Sequence, residues 1–190
     1  MFVFGNKNNM IRIFLVVFAL LLLPCRGNAQ SREAVGTSTD IAMFAPAVAG
    51  ATVALVKKDY EGLLQLGGSL AVSVAASYAL KYTVKKERPD GSDNHAFPSN
   101  HTGFSFAGAT FLQKRYGWKW GVPAYLVSGY VAWGRIYAKR HDVWDVLAGA
   151  AIGVGSGFLF TTPFAKKHDV VLAPTVNHEG NCGIYFSMKF

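Results

Sequence analysis

Between Ile41 and Phe160 the chain alternates long apolar runs with short, chemically dense polar clusters, and this alternation limits what it can fold into. The apolar runs are Ile41 to Val56, Leu63 to Leu80, Thr102 to Leu112, Gly121 to Tyr137 and Val143 to Phe160. A run of about 17 residues makes a helix about 25 Å long, a little short of a hydrocarbon core of about 30 Å. Length alone therefore leaves two readings open, a membrane bundle and the buried helices of a soluble one. Four features favour the membrane. The runs are apolar around the full helical circumference rather than along one stripe. Small residues recur, as in Ala148, Gly149, Ala150, Ala151, Gly153, Gly155 and Gly157, and let helices approach closely. Trp118, Trp120, Trp133 and Trp144 fall near predicted ends. The loop charges also alternate: Lys57-Lys58, then Lys114, Arg115 and Lys119, then Lys166-Lys167 fall on one side, which predicts the cytoplasmic side. The clusters from Lys81 to His101 and Arg135 to Asp145 fall together on the exported side.

The ends of the chain read differently. Met1 to Ala29 has a basic start at Lys7 and Arg12, an apolar run from Ile13 to Leu23, and small residues at Gly27-Asn28-Ala29. It reads as a secretory signal cleaved after Ala29, or else as an uncleaved first membrane helix. Ser31 to Asp40 reads as a polar linker. Residues 30–165 form the expected helical domain, and residues 166–190 an appended tail. In that tail Ile184, Phe186, Met188 and Phe190 alternate with Tyr185, Ser187 and Lys189 beyond the turn-like Asn177 to Asn181, a β-hairpin pattern. The expected fold is thus all-α, a membrane bundle of five to six helices with a short C-terminal β-hairpin.

The net charge of +8 suits anionic partners. With 51% apolar residues and no basic tract interleaved with aromatics, nucleic acid is the weakest of these. Cys25 and Cys182 imply no disulfide framework. No paired-ligand spacing joins His95, His101, His141, His168 and His178, so no metal is expected, although Asp90 and Asp93 near His95 form an acidic pair.

Three clusters carry the chemistry. His141 and Asp145 are four apart and share a helical face, where a carboxylate fixes the imidazole tautomer. Arg135 offers a planar fork to phosphate oxygens. Pro98-Ser99-Asn100-His101 opens an apolar run, and free N–H groups at a helix start bind anions. Lys81 and Arg88 add two cations, whereas Lys85, Lys86 and Glu87 read as an ordinary charged helix end. Each cluster alone also reads as a solvated charge run or an ordinary cap. Together they place cations, two histidines and an orienting carboxylate at one end of a bundle.

The order K-x6-R-P, P-S-x-H, R-x5-H-x3-D over Lys81 to Asp145 resembles the type 2 phosphatidic acid phosphatase family, which also includes vanadium haloperoxidases and class A acid phosphatases. The family usually has Gly at the position of Asn100 and Ser at the position of Gly134. The resemblance implies that Lys81, Arg88 and Arg135 clamp a phosphate with Ser99 and the Asn100 backbone. It implies that His141 attacks phosphorus, Asp145 orients it, and His101 protonates the leaving oxygen and then activates water. It implies neither metal nor cofactor. The expected activity is hydrolysis of a lipid phosphate at the periplasmic face of a bacterial inner membrane. Candidate substrates are lipid A, polyprenyl diphosphate and phosphatidylglycerol phosphate. A vanadate-dependent haloperoxidase, a serine hydrolase built on Ser99, and a non-catalytic binder of phospholipid headgroups are the competing readings.

Overall fold

The computed structural model describes residues 31–164, 170–176 and 182–188. The expected signal and its cleavage site, Lys166-Lys167 and the turn at 177–181 lie outside the described residues. Six helices follow in order: α1 (Arg32–Ala42), α2 (Ala45–Val56), α3 (Tyr60–Thr83), α4 (Asn100–Tyr116), α5 (Trp118–Tyr137) and α6 (Val143–Phe160). The backbones of β1 (Val170–Val176) and β2 (Cys182–Met188) run antiparallel, with Val170 opposite Met188. Among the described residues, three stretches are long and apolar enough to cross a membrane: α1 with α2 (Arg32–Val56), α3, and α6. Leu55, Leu64, Leu126, Leu147 and Leu159 point their side chains outward, as a lipid-facing surface requires.

Residues 31–40 are not a linker. Ser31 caps α1 by accepting from the Ala34 N–H, and Glu33 sits in the favoured first turn. Ser38 and Thr39 fold their hydroxyls back onto the carbonyls of Val35 and Gly36. Polar composition conceals a helical period here, because Val35, Gly36, Thr39 and Ala42 form one buried face. That face packs against α5. The expected basic turn from Gln113 to Lys119 is also mostly helix. Only Gly117, with φ of 92°, separates α4 from α5. Arg115 is not a loop cation, since it is buried against Asp59 at 2.6 Å.

Helix α4 is the central element, packed on by α2, α3, α5 and α6. Its contact with α6 is made by backbone. A Cβ on Gly153 would lie 2.2 Å from the Gly103 carbonyl oxygen, and one on Gly149 2.4 Å from that of Ser99. Ser99 N–H in turn donates to the Asp145 carbonyl at 2.9 Å. Helix α3 presents Gly62, Leu66, Ser69, Ser73, Ser77 and Lys81 on one buried stripe, and this carries Lys81 inward at the end of a line of small residues.

The helix contact makes a direct prediction. Gly153→Val forces backbone against side chain, and should cost several kcal/mol of stability and most of the folded yield in detergent. Gly155→Ala has open space around it and should leave thermal unfolding within about 0.5 kcal/mol of the parent.

Candidate active site

The first cluster lies at the α3 C-terminus and in the segment after it. Lys81 is buried and its Nζ donates to the His95 carbonyl at 2.5 Å. The chain from Val84 to Pro98 is tied to itself by Ala96 N–H to Lys86 O and by Arg88 N–H to Asp93 O, both 2.9 Å. The Arg88 Nε is 3.0 Å from Asp93 Oδ1, but the contact lies off the N–H direction and leaves that N–H without an acceptor. Asp90 faces Arg140 at 3.4 Å, so both members of the acidic pair are matched with arginines.

The second cluster opens α4. Ser99 is fully buried and occupies the N-cap position, yet its hydroxyl makes no capping bond. It accepts from the Thr102 hydroxyl at 3.1 Å, so its own proton stays available. Asn100 begins the helix with its Oδ1 buried and unpartnered.

The third cluster spans the α5 C-terminus to the α6 N-terminus. Asp142 caps α6, and a reciprocal capping box joins it to Asp145. Asp145 is fully buried, with Oδ2 3.0 Å from the Asp142 N–H and 3.7 Å from His141 Nδ1. The His141 Nδ1 has no hydrogen-bond partner, so the pair is oriented but not closed. Such contacts tighten when a reacting group arrives. Arg135 is buried, and its Nε also lacks a partner.

Electrostatics tie the clusters together. Burial, followed by the positive charges of Lys81, Arg135 and Arg88, lowers the His141 pKa from 6.5 to about 3 against an opposing hydrogen bond with the Ala96 backbone. Three cations far apart in sequence thus converge on one ring. At neutral pH the ring is uncharged and holds a lone pair, the state a nucleophile needs. Arg88, His101 and Arg135 line an open cavity of about 760 Å³, with Arg32, Asp40 and Arg140 among the other wall residues. His141, Lys81, Ser99 and Asp145 are buried.

The structure therefore brings together Lys81, Arg88, Ser99, His101, Arg135, His141 and Asp145. It adds residues that the sequence reading passed over. Lys86, read as a charged helix end, bonds Asp145 Oδ1 at 2.7 Å and Asp142 Oδ2 at 2.5 Å. Its spacing of two from Arg88 in extended chain puts both on one side, which was the available signal. Asp40, read as part of a linker, ion-pairs with both His101 and Arg135.

The family model of the PAP2 superfamily matches residues 62–169. A lipid A 4'-phosphatase of Helicobacter pylori is 29% identical over 172 residues, 85% of this chain and 85% of the relative. A lipid A 1-phosphatase of Porphyromonas gingivalis is 36% identical over 111 residues, 53% of this chain but 25% of that protein. The crystal structure of Aquifex aeolicus LpxE superimposes with a TM-score of 0.56 at 20% identity, covering 76% of this chain and 92% of that one.

Two measurements check the site. The unfolded chain takes a proton at His141 near pH 6.5, whereas the folded protein resists it down to about 3. Stability should therefore fall as pH drops through that window, by at most about 1.4 kcal/mol per pH unit. In His141→Gln, chemical denaturation at several pH values should show a flatter dependence. Lys86→Met frees one oxygen of a buried carboxylate, and should lower kcat by about 10-fold or more while KM changes little.

Proposed function

The chain belongs to the PAP2 superfamily, and we propose that it hydrolyses a phosphate monoester of lipid A at the periplasmic face of the bacterial inner membrane, through a phosphohistidine on His141. The observation that carries this is the convergence of Lys81, Arg88 and Arg135 on the buried, neutral His141 beside Asp145. Relatives acting on lipid A, one of them aligned along 85% of both chains, support the choice of substrate. The apolar helices support a membrane setting.

In this mechanism the unpartnered Nε of Arg135, with Arg88 and Lys81, receives the phosphate oxygens. Ser99 and the backbone N–H groups opening α4 add donors. His141 presents Nδ1–H to Asp145 and attacks phosphorus through Nε2. The bond to the leaving oxygen breaks as His101 supplies its proton. Neutral His101 then takes a proton from water, whose oxygen attacks the phosphohistidine and releases inorganic phosphate. Positioned cations offset the charge that builds on the equatorial oxygens.

Charge supports this orientation. Lys57 and Lys58 lie at the end of the bundle opposite the site, on the side that the bias of basic loops assigns to the cytoplasm. Cysteines placed singly at the exposed Lys139 and Lys58, in a chain lacking Cys25 and Cys182, should label from opposite sides of the membrane.

Purified protein in detergent should release phosphate from lipid A faster than from polyprenyl diphosphate or phosphatidylglycerol phosphate. A reversed order transfers the assignment to the preferred lipid. His141→Asn should lower turnover by about 1,000-fold or more and abolish an acid-labile phosphoryl group trapped on the parent protein. Full activity in that variant would remove the nucleophile from this mechanism.

A further inference from the structure

Helix α1 lies before the segment matched by the family and outside all three clusters, yet Arg32, Gly36, Thr37 and Asp40 form one wall of the cavity. Its approach to the site depends on residue 134. A Cβ on Gly134 would lie 2.4 Å from Thr39 Cγ2 and 3.2 Å from Val35 Cγ1. A serine there would clash with the Thr39 methyl, so that this side chain or α1 would have to shift. Glycine lets the helix seat fully, with Thr39 buried and its hydroxyl 3.4 Å from Arg135 Nη1. The next residue is Asp40. Its Oδ1 stands 2.9 Å from His101 Nε2 and 2.5 Å from Arg135 Nη1.

We propose that Asp40 is a positioning residue for His101, so that each histidine of the site works with its own carboxylate: His141 with Asp145, and His101 with Asp40. The inference rests on the reading of His101 as proton donor. The groups facing His101 are Asp40 from α1, Arg135 from α5 and Arg88 from the segment after α3. Burial, with Arg135 and Arg88, lowers the His101 pKa to about 4, and Asp40 opposes them in part. Asp40 fixes the Nε2–H and stabilises the imidazolium, and the proton passed to the leaving oxygen comes from Nδ1. Asp40 occupies only Nη1 of Arg135, which leaves the unpartnered Nε for a phosphate oxygen.

Leaving-group dependence tests this, because an acid is needed for a poor leaving group and dispensable for a good one. The parent, His101→Gln, Asp40→Asn, Asp40→Glu and the Asp40→Asn/His101→Gln pair are assayed on a long-chain alkyl phosphate and on p-nitrophenyl phosphate. His101→Gln should lose about 100-fold or more in kcat on the alkyl ester and under about 10-fold on the nitrophenyl ester. Asp40→Asn should show the same selectivity at about 10-fold on the alkyl ester. The double variant should be no worse than His101→Gln, and Asp40→Glu should recover part of the loss. If His101→Gln hits both esters equally, the reading of His101 as acid fails, and this inference with it. If His101→Gln is selective but Asp40→Asn hits both esters equally, Asp40 only holds α1 in place and the inference alone fails. It also fails if Asp40→Asn keeps kcat while KM and the inhibition constant of inorganic phosphate fall about 10-fold, because Asp40 is then an internal anion competing with substrate.

Discussion

The contact between the backbones of α4 and α6 governs the rest of the structure. Gly149 and Gly153 let α6 lie against the carbonyls of Ser99 and Gly103 with no side chain between. In a membrane, where burial of apolar groups distinguishes poorly between protein and lipid, such close approach is a main source of helix association. It also sets the chemistry. The same contact ends in the bond from Ser99 N–H to the Asp145 carbonyl, and this holds the opening turn of α4 beside the histidine that precedes α6. Two motifs separated by some forty residues of chain thereby share one wall.

Once the helices are fixed, electrostatics follows from geometry. Burial first, and then the weakly screened charges of Lys81, Arg135 and Arg88, keep the His141 ring neutral. Such a concentration of cations is costly in isolation. Four carboxylates from three parts of the chain reduce the cost: Asp145 on α6 with Asp142 at its cap, Asp93 in the segment after α3, and Asp40 on α1. They match the arginines and lysines incompletely, which is the surplus of charge that the proposed phosphate substrate requires.

The apolar runs and the three clusters were legible because their signals are local: length, spacing of four between His141 and Asp145, and a proline before α4. Val143–Phe160 is read from the sequence with the bounds that the structure gives it. What the sequence concealed depends on partners distant along the chain. Thr39 and Asp40 look like linker residues until Gly134 lets α1 reach Arg135. Lys86 looks like a charge satisfying the α3 dipole until the segment after it folds back onto Asp145. Arg115 looks like a loop cation until Asp59, Gln65 and Thr162 surround it. In each case polarity is a poor guide to burial, because a charged side chain goes inside wherever a paired group waits for it.

The two ends of the bundle show what separates a structural ion pair from a functional one. At the far end Asp59 accepts from Arg115 Nε and Nη2, from the Tyr116 hydroxyl and from the Gly62 N–H. These bonds hold the Asp59 carboxyl down at about 2, and its two oxygens are fully engaged. Arg115 spends its remaining N–H groups on Thr162 and the carbonyl of Pro163. At the near end the same residue types are left short of hydrogen bonds: Arg135 Nε and Arg88 Nε, on residues that line the open cavity, and the buried His141 Nδ1 make none. A buried donor without an acceptor costs about 1–3 kcal/mol, so this arrangement persists only because the closely packed helices over-determine it. On the proposed mechanism, phosphate oxygens are the acceptors that the two arginine Nε–H groups lack.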